Sequence, residues 1–434
     1  MAAESRVRSP WTWVPSLYFA QGIPYVVAMT VSVIMYKRLG LSNTDIALYT
    51  SWLYLPWVIK PLWSPFVDMF RTKRLWVVTL QFLIGAALAG VALTIPLANY
   101  FQYTIAILWL MAFSSATHDI AADGLYMLGL KEHQQAAFVG VRSTFYRISM
   151  VTGQGLLVVV AGELEQSTGG DIRLAWMITF AILAGLFLVF FLYHRFMLPR
   201  PAADRPTFVE SSGGFLRGFV EVFARFFTKE RIGATLAFLL LFRFAEAQLV
   251  KLVTPFLLDA PEVGGLGLTT TEVGVTYGTV GVVALLLGGL IGGFAVSRQG
   301  LKFWLWPMVA MMHLPDLVYV YLSQVLPSDF LVINIAVAAE QFGYGFGFTA
   351  YMMYMILVAE GENKTAHYAI CTGFMALGMM LPGMISGWIQ EQIGYSMFFV
   401  WVIVSTIPGF IVPALVRIPA SFGRKEREAA EKST

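Results

Sequence analysis

The stretch SSATHDIAADGL, residues 114–125, places a histidine and two aspartates inside an otherwise apolar run. Asp119 and Asp123 are four residues apart, so on a helix their carboxylates share one face. Two carboxylates that close in a low dielectric cannot readily both stay charged, and the pair is expected to carry a proton. A nearby Lys60 or Arg142 could instead hold both aspartates charged in a static salt bridge.

His118 is the third polar residue of this stretch, and its ring can share a proton near neutral pH. On a helix it points about 100° away from its neighbour Asp119. This direction favours a packing role over a relay role, although the residue stays among the candidates for substrate contact.

The composition places these groups in a bilayer. Hydrophobic residues make up 58% of the 434 residues and charged residues 13%, and the mean hydropathy is +0.70, far from the balance of soluble domains. A formal net charge of +3 is too small to indicate a nucleic-acid partner. The single cysteine, Cys371, excludes an intrachain disulfide and a multi-cysteine metal site.

Twelve apolar runs are long enough to cross about 30 Å of hydrocarbon as helices. The first shows no cleavage pattern and is interpreted as a spanning helix, not a secretory signal. The predicted spans are 13–36, 44–67, 75–96, 102–127, 136–161, 173–195, 231–257, 271–297, 302–323, 329–357, 365–390 and 396–416.

The basic residues predict the orientation of these spans. With a cytoplasmic N-terminus, 21 Lys and Arg residues fall in inner loops and tails, whereas outer loops hold only Lys37, Arg38 and Arg173. Both termini are therefore predicted to be cytoplasmic.

One long polar interruption divides the spans six and six. The predicted units are an N-terminal bundle (1–196), a linker (197–229), a C-terminal bundle (230–420) and a charged tail (421–434). The linker begins with the helix-breaking PRPAADRP and continues as FLRGFVEVFARFF, an amphipathic helix that lies on the membrane surface or packs on protein.

Ten acidic and basic residues lie inside the membrane, away from the ends of the predicted spans, and His118 and His313 join them. If each faced lipid alone at a cost of about 2.5 to 3.5 kcal/mol, the total would be roughly 30 kcal/mol, so they must face each other or water. Such groups mark transport pathways by default, and structural pairs inside one bundle are the alternative. They are Lys60, Arg142, Arg147, Arg243, Lys251, Asp119, Asp123, Glu246, Asp316 and Glu340.

The first span carries Tyr18, Gln21 and Tyr25 on one stripe. Aromatic rings and an amide beside paired charges suit a polar, ring-containing solute such as a sugar. Packing is the alternative for the stripe, and mutual neutralisation is the alternative for Arg243 and Glu246, which are three residues apart.

The turn SPFVDMFRTKR (64–74) and its counterpart GGFAVSRQGLK (292–302) resemble the loop motif of the major facilitator superfamily. In that motif an acid and following arginines latch two bundles on the cytoplasmic side, a role that would fall to Asp68, Arg71 and Arg74. The second copy has Ser297 where the acid would stand.

A nearer resemblance rests on FAQGIP (19–24), VIKPLWSPFVD (58–68), SATHDIAADGLY (115–126), FYRISMVTGQG (145–155) and FRFAEA (242–247). Together these segments resemble the AmpG muropeptide permease family, which is related to acetyl-coenzyme A transporters. The resemblance implies a major facilitator fold and proton-driven import of N-acetylglucosamine–anhydro-N-acetylmuramic acid fragments. It departs from the family pattern at His118, at Gln21 and at the Arg243/Glu246 pair.

The expected candidate residues fall into three groups. Proton coupling is assigned to Asp119, Asp123, Glu246 and Glu340. Substrate binding is assigned to Tyr18, Gln21, Tyr25, Lys60, His118, Arg147, Arg243 and Tyr344. Gating is assigned to Asp68, Arg71, Arg74 and Arg142.

The hypothesis is an all-α membrane protein of twelve transmembrane helices in two six-helix bundles, working as a monomeric proton-coupled importer in the inner (plasma) membrane. It would use a small-molecule glycan, protons and the lipid bilayer as partners, with no cofactor, no metal and no enzymatic activity, since phosphate-binding and metal-spacing motifs are missing from the sequence. Alternatives are another bulky anionic metabolite, either acetyl-coenzyme A-like or siderophore-like, and a membrane receptor that binds without transporting.

Overall fold

A computed structural model describes residues 8–205, 212–361 and 364–424. The tail from 425 and the side chain of Asp68 lie outside the described part, so the gating role of Asp68 stays a prediction. All regular structure in these ranges is helical. The α-helices are α1 (Val14–Val26), α2 (Ser32–Arg38), α3 (Asn43–Trp52), α4 (Leu55–Met69), α5 (Lys73–Thr94), α6 (Tyr100–Gly129), α7 (Glu132–Val151), α8 (Leu157–Ser167), α9 (Ile172–Met197), α10 (Ser212–Phe227), α11 (Ile232–Leu241), α12 (Phe244–Leu258), α13 (Thr270–Val273), α14 (Val282–Gln299), α15 (Leu301–His313), α16 (Leu317–Val325), α17 (Phe330–Ala359), α18 (Lys364–Val404) and α19 (Ile407–Leu415).

Nine continuous helical runs among the described residues are long and apolar enough to cross a membrane. The predicted spans 44–67 and 231–257 are each broken into two shorter helices, α3 with α4 and α11 with α12. The predicted spans 365–390 and 396–416 fall in one run, Ala366–Leu415, which is interrupted at Gly394 by a backbone φ of 74°. The count of twelve spans therefore stays a prediction.

Polar residues in the loops fix where several helices begin. The side chains of Ser42, Thr72, Asp171 and Thr269 each accept a hydrogen bond from a backbone N–H of the following first turn. These contacts satisfy donors that the helix itself leaves unpaired. The boundaries between loop and apolar helix are thus encoded locally.

Three short π-helical segments continue α-helices: Val27–Val31, Thr152–Leu156 and Gly274–Gly281. The last two pack against each other and join the N-terminal half to the C-terminal half. A Cβ atom on Gly278 would lie 1.9 Å from the carbonyl oxygen of Gln154, so only glycine permits this approach. We call this contact the glycine seam.

Apolar packing differs between the two ends of the molecule. The largest core cluster draws side chains from both halves, between Ile23 and Val402. Two further clusters stay within one half each, between Trp13 and Leu198 and between Phe226 and Ile418. We call the end that carries turns 39–42, 168–171 and 259–269 the sealed end, because the shared core lies towards it.

The helix predicted in the linker is α10, whose side chains are described from Val220 onwards. Phe226 is fully buried and stacks on Phe374 of α18 at a ring-centroid distance of 6.3 Å. The C-terminal part of α10 therefore packs on protein, as one of the two sequence interpretations expected.

Candidate functional site

Asp119 lies on α6 and faces α4. Lys60 Nζ is 3.4 Å from Asp119 Oδ2, and Trp57 Nε1 donates to the same oxygen at 3.2 Å. Trp57 and Lys60 are three residues apart on α4, so both reach the same carboxylate. Hydrogen bonds from a cation and an indole stabilise the charged form of Asp119.

Asp123, one turn further along α6, has different partners. Arg142 of α7 lies 3.2 Å from Asp123 Oδ1, and the hydroxyl of Tyr18 donates to that oxygen at 2.9 Å. The Arg142 guanidinium also stacks 4.6 Å above the Tyr18 ring and 5.1 Å above the Tyr126 ring. We call Lys60–Asp119 and Arg142–Asp123 the α6 ion pairs.

The two aspartates are therefore paired with separate cations. This geometry resembles the static salt-bridge alternative more than a shared proton. The Asp119 side chain is 14% exposed and the Asp123 side chain 39%. Both lie in the half of α6 away from the sealed end.

His118 does not join these pairs. It is buried inside the N-terminal half, with its Nε2 atom 3.1 Å from Gln81 Nε2. Gln81 also contacts His194, whose other ring nitrogen lies 2.9 Å from the hydroxyl of Ser16. The structure thus places His118 in an internal polar chain between helices, as its predicted direction on α6 suggested.

Aromatic residues surround the charged groups on both sides. Tyr25 packs edge-to-face on Trp57 at 5.3 Å. In the C-terminal half, the Arg243 guanidinium donates to the hydroxyl of Tyr344 and lies 4.7 Å above the ring of Phe348. Stacked rings next to cations are suited to a polar solute with ring faces.

Two other predicted binding residues have unsatisfied groups. The side-chain oxygen of Gln21 is buried and has no hydrogen-bond partner among the described residues. Arg147 on α7 is partly exposed, and no ion pair or hydrogen bond of its side chain occurs in the described part of the chain. A cation without an internal partner is available to an anionic group.

Three carboxylates of the C-terminal half come together, and we call them the acidic triad: Glu246, Asp316 and Glu340. One oxygen from each lies within 4.8 Å of the others, and the three residues are at most 1% exposed. The hydroxyl of Tyr319 donates to Glu340 at 3.0 Å. Asp316 was counted among the intramembrane acids from sequence but was not assigned a role.

Polar contacts cross between the halves at the sealed end. Lys37 forms an ion pair with Asp259 at 2.7 Å, and the hydroxyl of Tyr395 donates to the same carboxylate at 2.6 Å. Asn43 donates to Gln390 at 2.6 Å. Together with the glycine seam, these contacts join the two halves at this end.

The predicted gating arginines make contacts within the N-terminal half and the start of the linker. The Arg74 guanidinium donates to the backbone carbonyl of Arg195, and the Asp204 carboxylate accepts from the backbone N–H groups of Lys73 and Arg74 at 2.6 and 3.0 Å. Arg71 is exposed with a backbone φ of 68°.

Sequence reasoning did not select Trp57, Phe348, Asp204 or Asp316. Trp57 was detectable, because it precedes Lys60 by three residues on a helix. The others depend on contacts between segments distant in sequence, which periodicity alone does not reveal.

Several known proteins are similar to this chain in sequence. The putative transporter AmpG 4 of Rickettsia conorii is 24% identical over 410 residues, covering 91% of this chain and 94% of the relative. The anhydromuropeptide permease of Escherichia coli K12 is 24% identical over 420 residues, covering 94% of this chain and 80% of the relative. The resemblance to AmpG proteins inferred from sequence motifs is confirmed.

Solved structures confirm the fold. The nucleoside transporter NupG superposes with a TM-score of 0.69 at 15% identity, covering 93% of this chain and 99% of its own. A POT family transporter superposes with a TM-score of 0.70 at 11% identity, covering 93% and 96%. At these identities the likeness shows a shared transporter fold. The family described as the BT1 family matches residues 21–295, more than half of the chain, and the protein therefore belongs to the BT1 family.

Proposed function

We propose that the chain is a proton-coupled secondary transporter that imports a peptidoglycan fragment by alternating access. The fragment would be of the N-acetylglucosamine–anhydro-N-acetylmuramic acid type, as the name of the E. coli relative suggests. The proposal includes twelve transmembrane helices, cytoplasmic termini, a location in the inner membrane and a monomeric state. The observation that carries it is the presence of two partly exposed ion pairs on one helix, α6.

The α6 ion pairs offer a way to link a proton to a change in helix packing. A proton on Asp119 removes the charge that holds Lys60, and so weakens the attachment of α4 to α6. The same step at Asp123 weakens the attachment of α7 through Arg142. A transported proton must interact differently with two conformations, and these contacts supply such a difference. Glu246 and Glu340 are the other proton-coupling candidates.

The surrounding side chains support an amino-sugar substrate with a negative charge. Tyr25 and Trp57 present ring faces and edges for stacking against pyranose rings. Arg147, which has no internal partner among the described residues, and Arg243 can bind a carboxylate. The same cations support the second candidate substrate, another bulky anionic metabolite.

Uptake of a labelled N-acetylglucosamine–anhydro-N-acetylmuramic acid disaccharide into proteoliposomes tests this function. We expect uptake to rise when an inward proton gradient is imposed, and Asp119→Asn to abolish that rise. Glu262→Gln is the matched control, because it makes the same change of acid to amide on an exposed turn at the sealed end.

Each alternative has its own outcome. Uptake that ignores the gradient would remove proton coupling, and gradient-driven uptake in both Asp119→Asn and Asp123→Asn would move the coupling site to Glu246 or Glu340. Uptake of acetyl-coenzyme A in place of the disaccharide would establish the other substrate class. Saturable binding without uptake would indicate a receptor.

A further inference from the structure

The acidic triad lies where two interrupted helices meet a continuous one. Glu246 occupies the first turn of α12, just after the chain leaves helical geometry at Arg243. Asp316 lies in a 3₁₀ turn, Leu314–Asp316, that separates α15 from α16. Interrupted helices inside a membrane protein commonly carry ion sites, because backbone carbonyls released from the helix join the side chains.

Packing of α17 brings Glu340 to this position. A Cβ atom on Gly343 would lie 2.2 Å from the carbonyl oxygen of Met311 and 2.7 Å from the ring of Pro315. Glycine therefore allows α17 to approach the interruption beside Asp316. Glu340, three residues before Gly343, then projects towards Asp316 and Glu246.

The triad lacks the partners that buried carboxylates require. Both oxygens of Glu246 and both oxygens of Asp316 are buried without a hydrogen-bond partner in the described ranges. Glu340 has only neutral partners, the Tyr319 hydroxyl and the Gln341 amide. Burying a charge without a partner is strongly unfavourable, and an unpartnered buried polar group calls for an explanation.

The nearby cations Arg243 and Lys251 make their hydrogen bonds to other groups, although Arg243 is close enough to Glu246 to attract its charge. The Arg243 guanidinium donates to Tyr344 and stacks on Phe348. Lys251 donates to Thr50 at 3.0 Å. One oxygen from each triad carboxylate therefore lies close to the other two, and no ion pair between the triad and a cationic side chain occurs among the described residues.

The spacing of these oxygens matches a metal cation. Because the three carboxylate oxygens lie within 4.8 Å of one another, some point lies within about 2.8 Å of all three. Calcium takes oxygen ligands at roughly 2.3–2.6 Å and tolerates irregular geometry. We propose that Glu246, Asp316 and Glu340 bind one hard metal cation, either Na⁺ or Ca²⁺, inside the C-terminal half.

This site would join the two helix interruptions to α17. It does not depend on the proposed substrate or on the α6 ion pairs, since all three ligands belong to the C-terminal half. The competing state is a triad neutralised by protons alone, and direct binding measurements distinguish the two.

The test uses the purified protein after treatment with chelator. Binding of ²²Na⁺ and of ⁴⁵Ca²⁺ is measured separately, and the thermal midpoint is followed in NaCl, KCl, CaCl₂ and MgCl₂ against choline chloride at equal ionic strength. We expect about one ion per chain for one of the two isotopes, with a rise in midpoint for the same ion. A preference for ²²Na⁺ or ⁴⁵Ca²⁺ identifies which cation is bound.

Variants locate the ion. Asp316→Asn and Glu340→Gln are each expected to weaken binding at least tenfold. Glu165→Gln is the matched control, because Glu165 is also a buried membrane carboxylate but is fully partnered by Arg38, Trp176 and Thr270, and we expect it to bind as the parent does. Absence of saturable binding for both isotopes, or binding that survives both triad variants, would overturn the proposal.

Discussion

The two halves of the molecule contain ionisable groups in opposite arrangements. On α6, each aspartate has its own cation and is partly exposed, at 14% and 39% of the side chain. In the acidic triad, three carboxylates share one enclosed space, and two of them have no partner among the described residues. The first arrangement is electrostatically complete without a ligand, whereas the second requires protons or a cation. The two arrangements therefore predict opposite changes in stability when one carboxylate is neutralised.

The largest expected effect concerns the Lys60–Asp119 pair. Lys60→Gln leaves Asp119 with the Trp57 indole as its remaining described donor, and we expect gradient-driven uptake to fall about 100-fold. Losing a charged hydrogen-bond partner costs roughly 1–3 kcal/mol in stability. The double variant Lys60→Gln/Asp119→Asn should recover thermal stability but not coupling, since no charge is then unpaired. If the stability losses of the two single variants simply add in the double variant, Lys60 and Asp119 do not interact energetically.

The second expectation is that neutralising one carboxylate shifts the thermal midpoint in opposite directions in the two regions. In chelator and low sodium, Asp316→Asn should raise the thermal midpoint, because it removes one of three mutually repelling carboxylates. Asp119→Asn should lower the midpoint in the same buffer, because it leaves Lys60 unpaired. Glu262→Gln controls for the exchange of acid for amide. Midpoints that move in the same direction for Asp316 and Asp119 would remove the contrast between the two regions.

A third, smaller effect concerns Arg243. Arg243→Lys keeps the charge but loses the planar group that lies over Phe348 and donates to Tyr344. Cation–π contacts of this kind contribute about 0.5–2 kcal/mol, so we expect the apparent substrate affinity to fall by up to about thirtyfold. Arg298→Lys, at another guanidinium that stacks on a ring, is the control. An unchanged affinity would remove Arg243 from the substrate site.

The smallest effect is expected at Asp123. Its side chain is 39% exposed, so water screens the Arg142 pair more than the Lys60 pair. Asp123→Asn should change stability by about 1 kcal/mol or less and reduce uptake less than Asp119→Asn does. A larger effect from Asp123→Asn would reverse the ranking of the two α6 ion pairs.

The sequence supported the helical membrane fold and the placement of Asp119 and Asp123 on one face of α6, because span length and i,i+4 spacing are local properties. It did not resolve how α6 is rotated against its neighbours, and so could not show that Lys60 and Arg142 each take a different aspartate. The sequence also did not predict that Glu246, Asp316 and Glu340 come together in the acidic triad. Its formation depends on Gly343 letting α17 approach Pro315, a contact between helices that apolar periodicity does not encode.

The glycine seam affects how the two halves can move. Backbone touches backbone at Gly278 and Gln154, so no side chain at this point needs to change rotamer when the halves part. Opening of the sealed end would instead be resisted by the apolar core that the two halves share and by the polar contacts around Lys37 and Asp259. The seam is thus suited to be the point about which the two halves rotate. Even the single methyl group of Gly278→Ala would hold the two backbones apart.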